Sequence, residues 1–312
     1  MSARAATVQG VIEALEWEDA PAGACLRLPD REVRAAIVAL HPASDGSARQ
    51  PLFEHLAGIL APQGVAVLSY DRRPPASGRG DAGLEAQAAD AVSGMRALRD
   101  RLGCPVGVFG FSQGAWAATL AAGEGTADLL VVLGCSGVSP AAQMRYLTDE
   151  LLRRSGYDEA TRATARRLRE RFEAFLRRDD RSPQERSELD ARLRRAAREP
   201  WFPLAGLPAE APGLRAQWAD MDFDPVPSFA RVRVPVLAVW GADEECVPRP
   251  RSRDAWARSG ADVTLVDLAG CGHWPVVGSG EPGFAYTDQA PVPEFAAALT
   301  AWLRLIAGDQ PS

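Results

Sequence analysis

The chain has 312 residues, a net charge of −6 at pH 7, 46% hydrophobic residues and 24% charged residues. That composition belongs to a globular protein able to bury a large core, and its acidic balance speaks against nucleic acid or an anionic membrane as the main partner. No lysine occurs, so all 35 basic residues are arginine, which GC-rich coding explains more simply than phosphate recognition does.

Cys25, Cys104, Cys135, Cys246 and Cys271 are odd in number and form no CxxC pair, as expected for reduced thiols in a cytoplasmic protein. The acids in "MSARAATVQGVIEALEWEDA" count against a secretory signal. No run approaches the roughly 20 apolar residues of a membrane span.

In chain order, "GACLRLPD" and Arg34 to Leu40 read as short strands, and "PLFEHLAGILAPQG" as a helix ended by Gly64. "VAVLSYD" reads as a buried strand and "LEAQAADAVSGMRALRDRLG" as an amphipathic helix. "PVGVFGF", "QGAWAATLAAG" and "DLLVVLG" continue as strand, helix and strand. Near-continuous apolar strands between helices predict a mostly parallel sheet covered on both faces.

From 139 to 225 no strand signal occurs; instead come mixed-charge helical segments such as "ATRATARRLRERFEAFLRR" and "RSELDARLRRAARE". Because acids are mixed among the arginines, a solvated face is expected rather than a basic binding patch. "PWFPLAGLPAEAP" is a proline-punctuated loop. Alternation resumes with "VPVLAVWG", "RSRDAWARSG", "DVTLVDLAG" and a closing helix "PEFAAALTAWLRLIA". The expected organisation is an α/β core (1–138 and 226–312) interrupted by a helical insert (139–225).

Gly110-Phe111-Ser112-Gln113-Gly114 matches G-x-S-x-G between a predicted strand and helix. A strained turn there would lift Ser112 above the sheet edge; the alternative is a serine that only caps the helix. An activated serine needs a base, and the base needs an orienting acid. His41, His55 and His273 are the only histidines, and only His273 follows Ser112. The acid is expected after "VLAVWG", where Asp243 and Glu244 stand side by side; adjacent side chains on a turn diverge, so one of them reaches the base.

The oxyanion of acyl transfer needs backbone N–H donors. Gln113 supplies one. In the loop His41-Pro42-Ala43-Ser44, Pro42 has no N–H, so Ala43 is the better second donor, ahead of Ser44. His41 reads as a structural loop residue. Trp201, Phe202, Trp218 and Phe223 either line a substrate pocket or pack insert against core; the expected substrate-binding residues are Ser44, Trp201, Trp218 and Trp274.

"LHPASDGS", "VLSYDRR", "GFSQGAW", "MDFDPVPSFARVRVPVLAVWGADEECVP" and "LAGCGHWP" together make the chain resemble the α/β-hydrolases, specifically bacterial serine esterases with a helical cap between strands 6 and 7. The resemblance covers nearly the whole chain. It implies an acid three residues after the glycine and three before Val-Pro, which falls on Glu244. Aspartate is commoner at that place, so Asp243 stays open as the alternative. His-Pro-Ala stands where His-Gly is commoner.

Ser112 argues against the aspartate-using epoxide-hydrolase and dehalogenase branches. Scattered histidines without HExxH spacing imply no metal, and no cofactor is expected. The expected activity is cofactor-free hydrolysis of a small-molecule ester or acyl substrate through an acyl-enzyme on Ser112. A thioesterase, an amidase or peptidase, or an acyltransferase would use the same triad; a binding protein on a hydrolase scaffold is the other class. No nucleic-acid or membrane partner is expected, and a homodimer is compatible.

Overall fold

The computed structural model describes residues 10–43, 46–74 and 83–306. Among them, eight strands form one sheet: β1 (Gly10–Ala14), β2 (Cys25–Pro29), β3 (Ala35–Leu40), β4 (Val65–Ser69), β5 (Val106–Phe111), β6 (Leu130–Leu133), β7 (Val236–Gly241) and β8 (Val263–Leu268). Their order is β1-β2-β4-β3-β5-β6-β7-β8. From β4 to β8 every pairing is parallel, whereas β2 runs antiparallel to β4 and β1 antiparallel to β2. The expected mostly parallel sheet is found, with an antiparallel edge added.

The helices are α1 (Pro51–Leu60), α2 (Leu84–Leu102), α3 (Gln113–Gly123), α4 (Pro140–Arg154), α5 (Glu159–Arg177), α6 (Pro183–Ala196), α7 (Val226–Phe229), α8 (Arg249–Ala257) and α9 (Pro293–Ile306). Successive strand residues point to opposite faces, and here both faces are apolar. Val38 and Leu40 join Met95, Trp116 and Trp256 on one side. Ile37 and Ala39 join Phe53, Leu56 and Phe295 on the other. Each buried Val, Leu, Ile, Met or Phe among them contributes roughly 1.5–3 kcal/mol of burial, which is why these strands need no alternating polar positions.

The strand β1 was not anticipated. It is a short edge strand whose Val11 and Ile12 are 58% and 50% exposed, so it lacks the buried apolar run that marks the inner strands.

The helices α4, α5 and α6 lie between β6 and β7. Each starts on a side-chain cap: Ser139 accepts from Ala142 N–H, Asp158 from Thr161 N–H, and Ser182 with Glu185 forms a reciprocal capping box. The segment has its own apolar cluster, in which Leu152, Leu168, Phe175, Leu193, Trp201 and Phe202 pack together. It is tied to the sheet domain by Asp220, whose Oδ2 accepts from Leu84 N–H at 3.0 Å at the start of α2. Phe223 adds an edge-on contact with Trp116 of α3, 6.2 Å between centroids.

The parallel strands bring their carboxyl ends to one edge, where ligands bind in open α/β sheets. The turns after β3, β5, β7 and β8 therefore carry Ala43, Ser112, Glu244 and His273 to the same place. The insert leaves from that edge after β6.

Candidate active site

Ser112 sits between β5 and α3 with φ 54° and ψ −115°. A non-glycine residue there is strained, at a cost of order 1–3 kcal/mol. Its N–H donates to Leu133 O at 2.9 Å, and its carbonyl accepts from Ala115 N–H at 3.0 Å. The flanking glycines are required by contact. A Cβ on Gly110 would lie 2.3 Å from Gly114 O, and one on Gly114 would lie 2.5 Å from His41 O. Although Ser112 holds the N-cap position, its side chain makes no capping hydrogen bond.

The hydroxyl instead meets the histidine: Ser112 Oγ is 2.9 Å from His273 Nε2. On the ring's other side, His273 Nδ1 is 2.9 Å from Glu244 Oε1. The carboxylate acceptor places the proton on Nδ1, which leaves Nε2 to accept from the serine. Glu244 is buried, and its Oε1 also accepts from the N–H groups of Cys246 (2.9 Å) and Val247 (3.2 Å). The turn after β7 thus aims Glu244 at the ring. Asp243 faces outward and is exposed, so of the two adjacent acids the structure brings Glu244, not Asp243, to His273.

Burial of His273 opposes a charged ring, yet the charge and hydrogen bond of Glu244, with the charge of Glu245, outweigh it and raise its pKa above 6.5. Glu245 is a site residue that sequence reasoning missed. Its Oε2 accepts from the backbone N–H of His273 at 2.9 Å. Burial, and to a lesser degree the Glu244 charge, push its own pKa up, while the His273 charge pulls the other way.

The N–H of Gln113 opens α3, where helix geometry leaves N–H groups without an intrahelical acceptor. Ala43 lies in the facing loop after β3 and is exposed; Ser44 lies outside the described residues. Arg72, a second residue without an assigned role in the sequence reading, ties these two segments together. Its Nη1 donates to Pro42 O (2.9 Å) and Gln113 Oε1 (3.1 Å), and its Nη2 to Ala43 O (3.2 Å). His41 is buried, hydrogen-bonded to Ser47 O at 3.1 Å and set edge-on to Phe53, the structural place expected for it.

The aromatic residues divide. Trp274 stacks on Tyr286 (3.9 Å between centroids) and meets Phe111 edge-on at 4.7 Å, directly beside His273. Trp218 is half-buried in the turn that leads to Asp220. Trp201 takes the packing alternative: it is 6% exposed within the insert's cluster. It also lines a cavity of about 900 Å³ between α5 and α6, whose lining includes none of Ser112, Glu244 and His273. Within the insert, Trp201 packs with Leu168 and Phe202.

Among the described residues, Glu244, Cys246 and His273 offer ligand atoms within 4.8 Å of one another. Burial and the neighbouring carboxylates raise the Cys246 thiol well above its ordinary value.

The family profile described as the alpha/beta hydrolase family matches residues 37–301. The chain belongs to that family. No curated protein matches this hydrolase in sequence. Among solved structures, the hydrolase is similar to the proline iminopeptidase of Mycobacterium smegmatis, at 17% identity and a TM-score of 0.55, covering 96% of this chain and 100% of that one. It is similar to a dienelactone hydrolase from Anabaena variabilis at 14% identity, TM-score 0.55, covering 96% and 99%. A Pyrococcus furiosus esterase follows at 13% identity, TM-score 0.52, covering 96% and 91%. At these identities the likeness is one of fold. No helix among the described residues is long and apolar enough to cross a membrane.

Proposed function

We propose that this protein is a serine hydrolase that cleaves carboxylic esters through an acyl-enzyme on Ser112. The observation that carries the reading is the continuous hydrogen-bonded line from Ser112 Oγ through His273 to Glu244, 2.9 Å at each link, with the serine on a strained turn.

Ser112 Oγ attacks the ester carbonyl carbon while His273 Nε2 takes its proton, and Glu244 stabilises the imidazolium that forms. The carbonyl oxygen becomes an oxyanion held by the N–H groups of Gln113 and Ala43. The intermediate collapses as the C–O bond breaks, and His273 returns the proton to the leaving alcohol. Water, deprotonated by His273, then attacks the acyl-enzyme, releasing the carboxylic acid and restoring Ser112.

The helical insert, which departs from the sheet edge that bears Ser112, serves in this reading as a cap that sets substrate size. The experiment is a panel of matched p-nitrophenyl esters, thioesters and anilides of increasing acyl length. Esters are expected to turn over fastest, with a burst of one nitrophenol per active site wherever deacylation is slow. A panel in which amides or thioesters exceed the esters moves the reading to a peptidase or thioesterase; absence of any turnover overturns it.

A further inference from the structure

Arg154 is the last residue of α4, yet its guanidinium ends between the two loops that carry Glu244 and His273. Nη1 donates to the carbonyl oxygens of Asp243 (2.9 Å) and Gly280 (2.7 Å), and Nη2 to that of Glu244 (3.1 Å). Nε donates to Glu150 Oε1 at 2.7 Å, one turn back on the same helix. The Arg154 side chain is 20% exposed; the bonds to Glu150, Gly280 and Glu244 are partly buried, and the one to Asp243 is exposed.

Only a residue without Cβ fits at the far end of this bridge. A Cβ on Gly280 would lie 2.6 Å from Asp243 O and 3.0 Å from Arg154 Nη1. The Gly280 segment is in turn fastened to the histidine turn, because Ser279 Oγ accepts from Gly272 N–H at 2.7 Å and donates to Trp274 O at 2.5 Å. One cationic fork from the insert thus grips the backbone of the acid at one end and the histidine loop at the other. Hydrogen bonds from a charged donor are about twice as strong as neutral ones, and a planar guanidinium holds its acceptors at fixed separation.

We propose that Arg154 is a positioning residue of the reaction. By bridging Asp243, Glu244 and Gly280 it sets the separation of Glu244 from His273, and so makes the insert a part of the proton-transfer apparatus. The inference rests on the serine-hydrolase reading above. Glu150 pre-orients the fork: the Arg153 guanidinium, with that of Arg154, holds the Glu150 carboxyl down at about 2. It is therefore an anion throughout any ordinary assay range. A bridge that served only to hold the insert in place would affect melting and leave the chemistry alone.

The test uses the full chain and two probes too small to need the insert for binding, p-nitrophenyl acetate and a small fluorophosphonate. Arg154→Met keeps the aliphatic stem and removes the fork. It is expected to lose about tenfold or more in kcat with little change in KM, and to phosphonylate Ser112 more slowly by the same factor, since small misplacements of reacting groups cost up to about 10²-fold. Arg154→Lys should recover part of the loss. Equal kcat and equal phosphonylation in wild type and Arg154→Met would overturn the inference.

If Arg154→Met fails to fold, Glu150→Leu decides, because it removes the acceptor of Arg154 Nε: a kcat several-fold lower supports the bridge, and an unchanged kcat overturns it. A wild-type chain that is neither labelled nor active overturns the serine-hydrolase reading itself. That result differs from a labelled, active wild type matched in rate by its Arg154→Met variant.

Discussion

Glu245 Oε2 accepts a hydrogen bond from the backbone N–H of His273 at 2.9 Å, so the loop bearing the ring is held by the neighbour of the residue that orients the ring. The two adjacent glutamates divide the work: Glu244 binds the imidazole, Glu245 the backbone beneath it. Replacing Glu245 therefore separates geometry from charge. Glu245→Gln keeps an acceptor for His273 N–H and should retain most of kcat, whereas Glu245→Leu removes it and should lose about tenfold or more. Steady-state kinetics on one ester distinguishes them.

The same contact fixes a pH dependence. His273 must be neutral at Nε2 to act as a base, and its pKa lies above 6.5 because the carboxylates outweigh the effect of burial. Activity should thus fall as pH drops through a value higher than that of an ordinary histidine. Glu245→Gln removes one of the raising charges, so the acid limb of kcat/KM should move to lower pH. A limb that stays in place or rises would show that the Glu245 charge is not felt by the ring.

The acid itself is tested by ranking. Glu244→Gln leaves an amide unable to stabilise the imidazolium and should cost on the order of 10⁴-fold in kcat, as such replacements do in serine triads. Asp243→Asn alters an exposed side chain and should stay within a few-fold of wild type. Turnover of a single ester by the two variants measures this.

Much of this arrangement is legible in the sequence because it is written in local pattern. Gly110-Phe111-Ser112-Gln113-Gly114 sits between a buried strand and a helix, and His273 is the only histidine downstream. The choice between Asp243 and Glu244 was not settled by residue types; it depended on which of two adjacent side chains the turn after β7 aims inward. Glu245, Arg72 and Arg154 were invisible for another reason. Each acts on backbone atoms of segments distant in the chain, as Arg154 does on Asp243 and Gly280 and Glu245 on His273 N–H, and a backbone atom carries no residue-type signature. Trp201 shows the reverse case, since an aromatic in a proline-rich loop reads alike whether it lines a pocket or fills the insert's core.

That placement changes what Trp201→Ala should do. Emptying a buried aromatic site costs about 3–5 kcal/mol, so the variant should lose thermal stability while keeping its preference among acyl chain lengths. Trp218→Ala removes a half-buried side chain and should alter chain-length preference more than melting. Calorimetry and the ester panel read the two effects independently.

The pair between Glu150 and the arginines at the end of α4 makes a stability prediction. The Arg153 and Arg154 guanidinium groups lower the Glu150 pKa from 4.5 to about 2. A depressed carboxyl pKa stabilises the folded state above the unfolded value and loses that contribution as pH falls through the folded one. Glu150→Gln should therefore be less stable than wild type at neutral pH, and the difference should vanish as pH falls from about 4.5 towards 2. Denaturant titrations at several pH values would detect it.

The central claim, that Ser112 is a nucleophile driven by His273 and Glu244, is met most directly by intact-protein and peptide mass spectrometry after treatment with a fluorophosphonate. The wild-type chain should gain a single adduct on the peptide containing Ser112 and lose ester turnover in step. Ser112→Ala should gain none, and His273→Ala should label slower by orders of magnitude. An adduct on any other residue, or labelling of Ser112→Ala at the wild-type rate, would contradict the account.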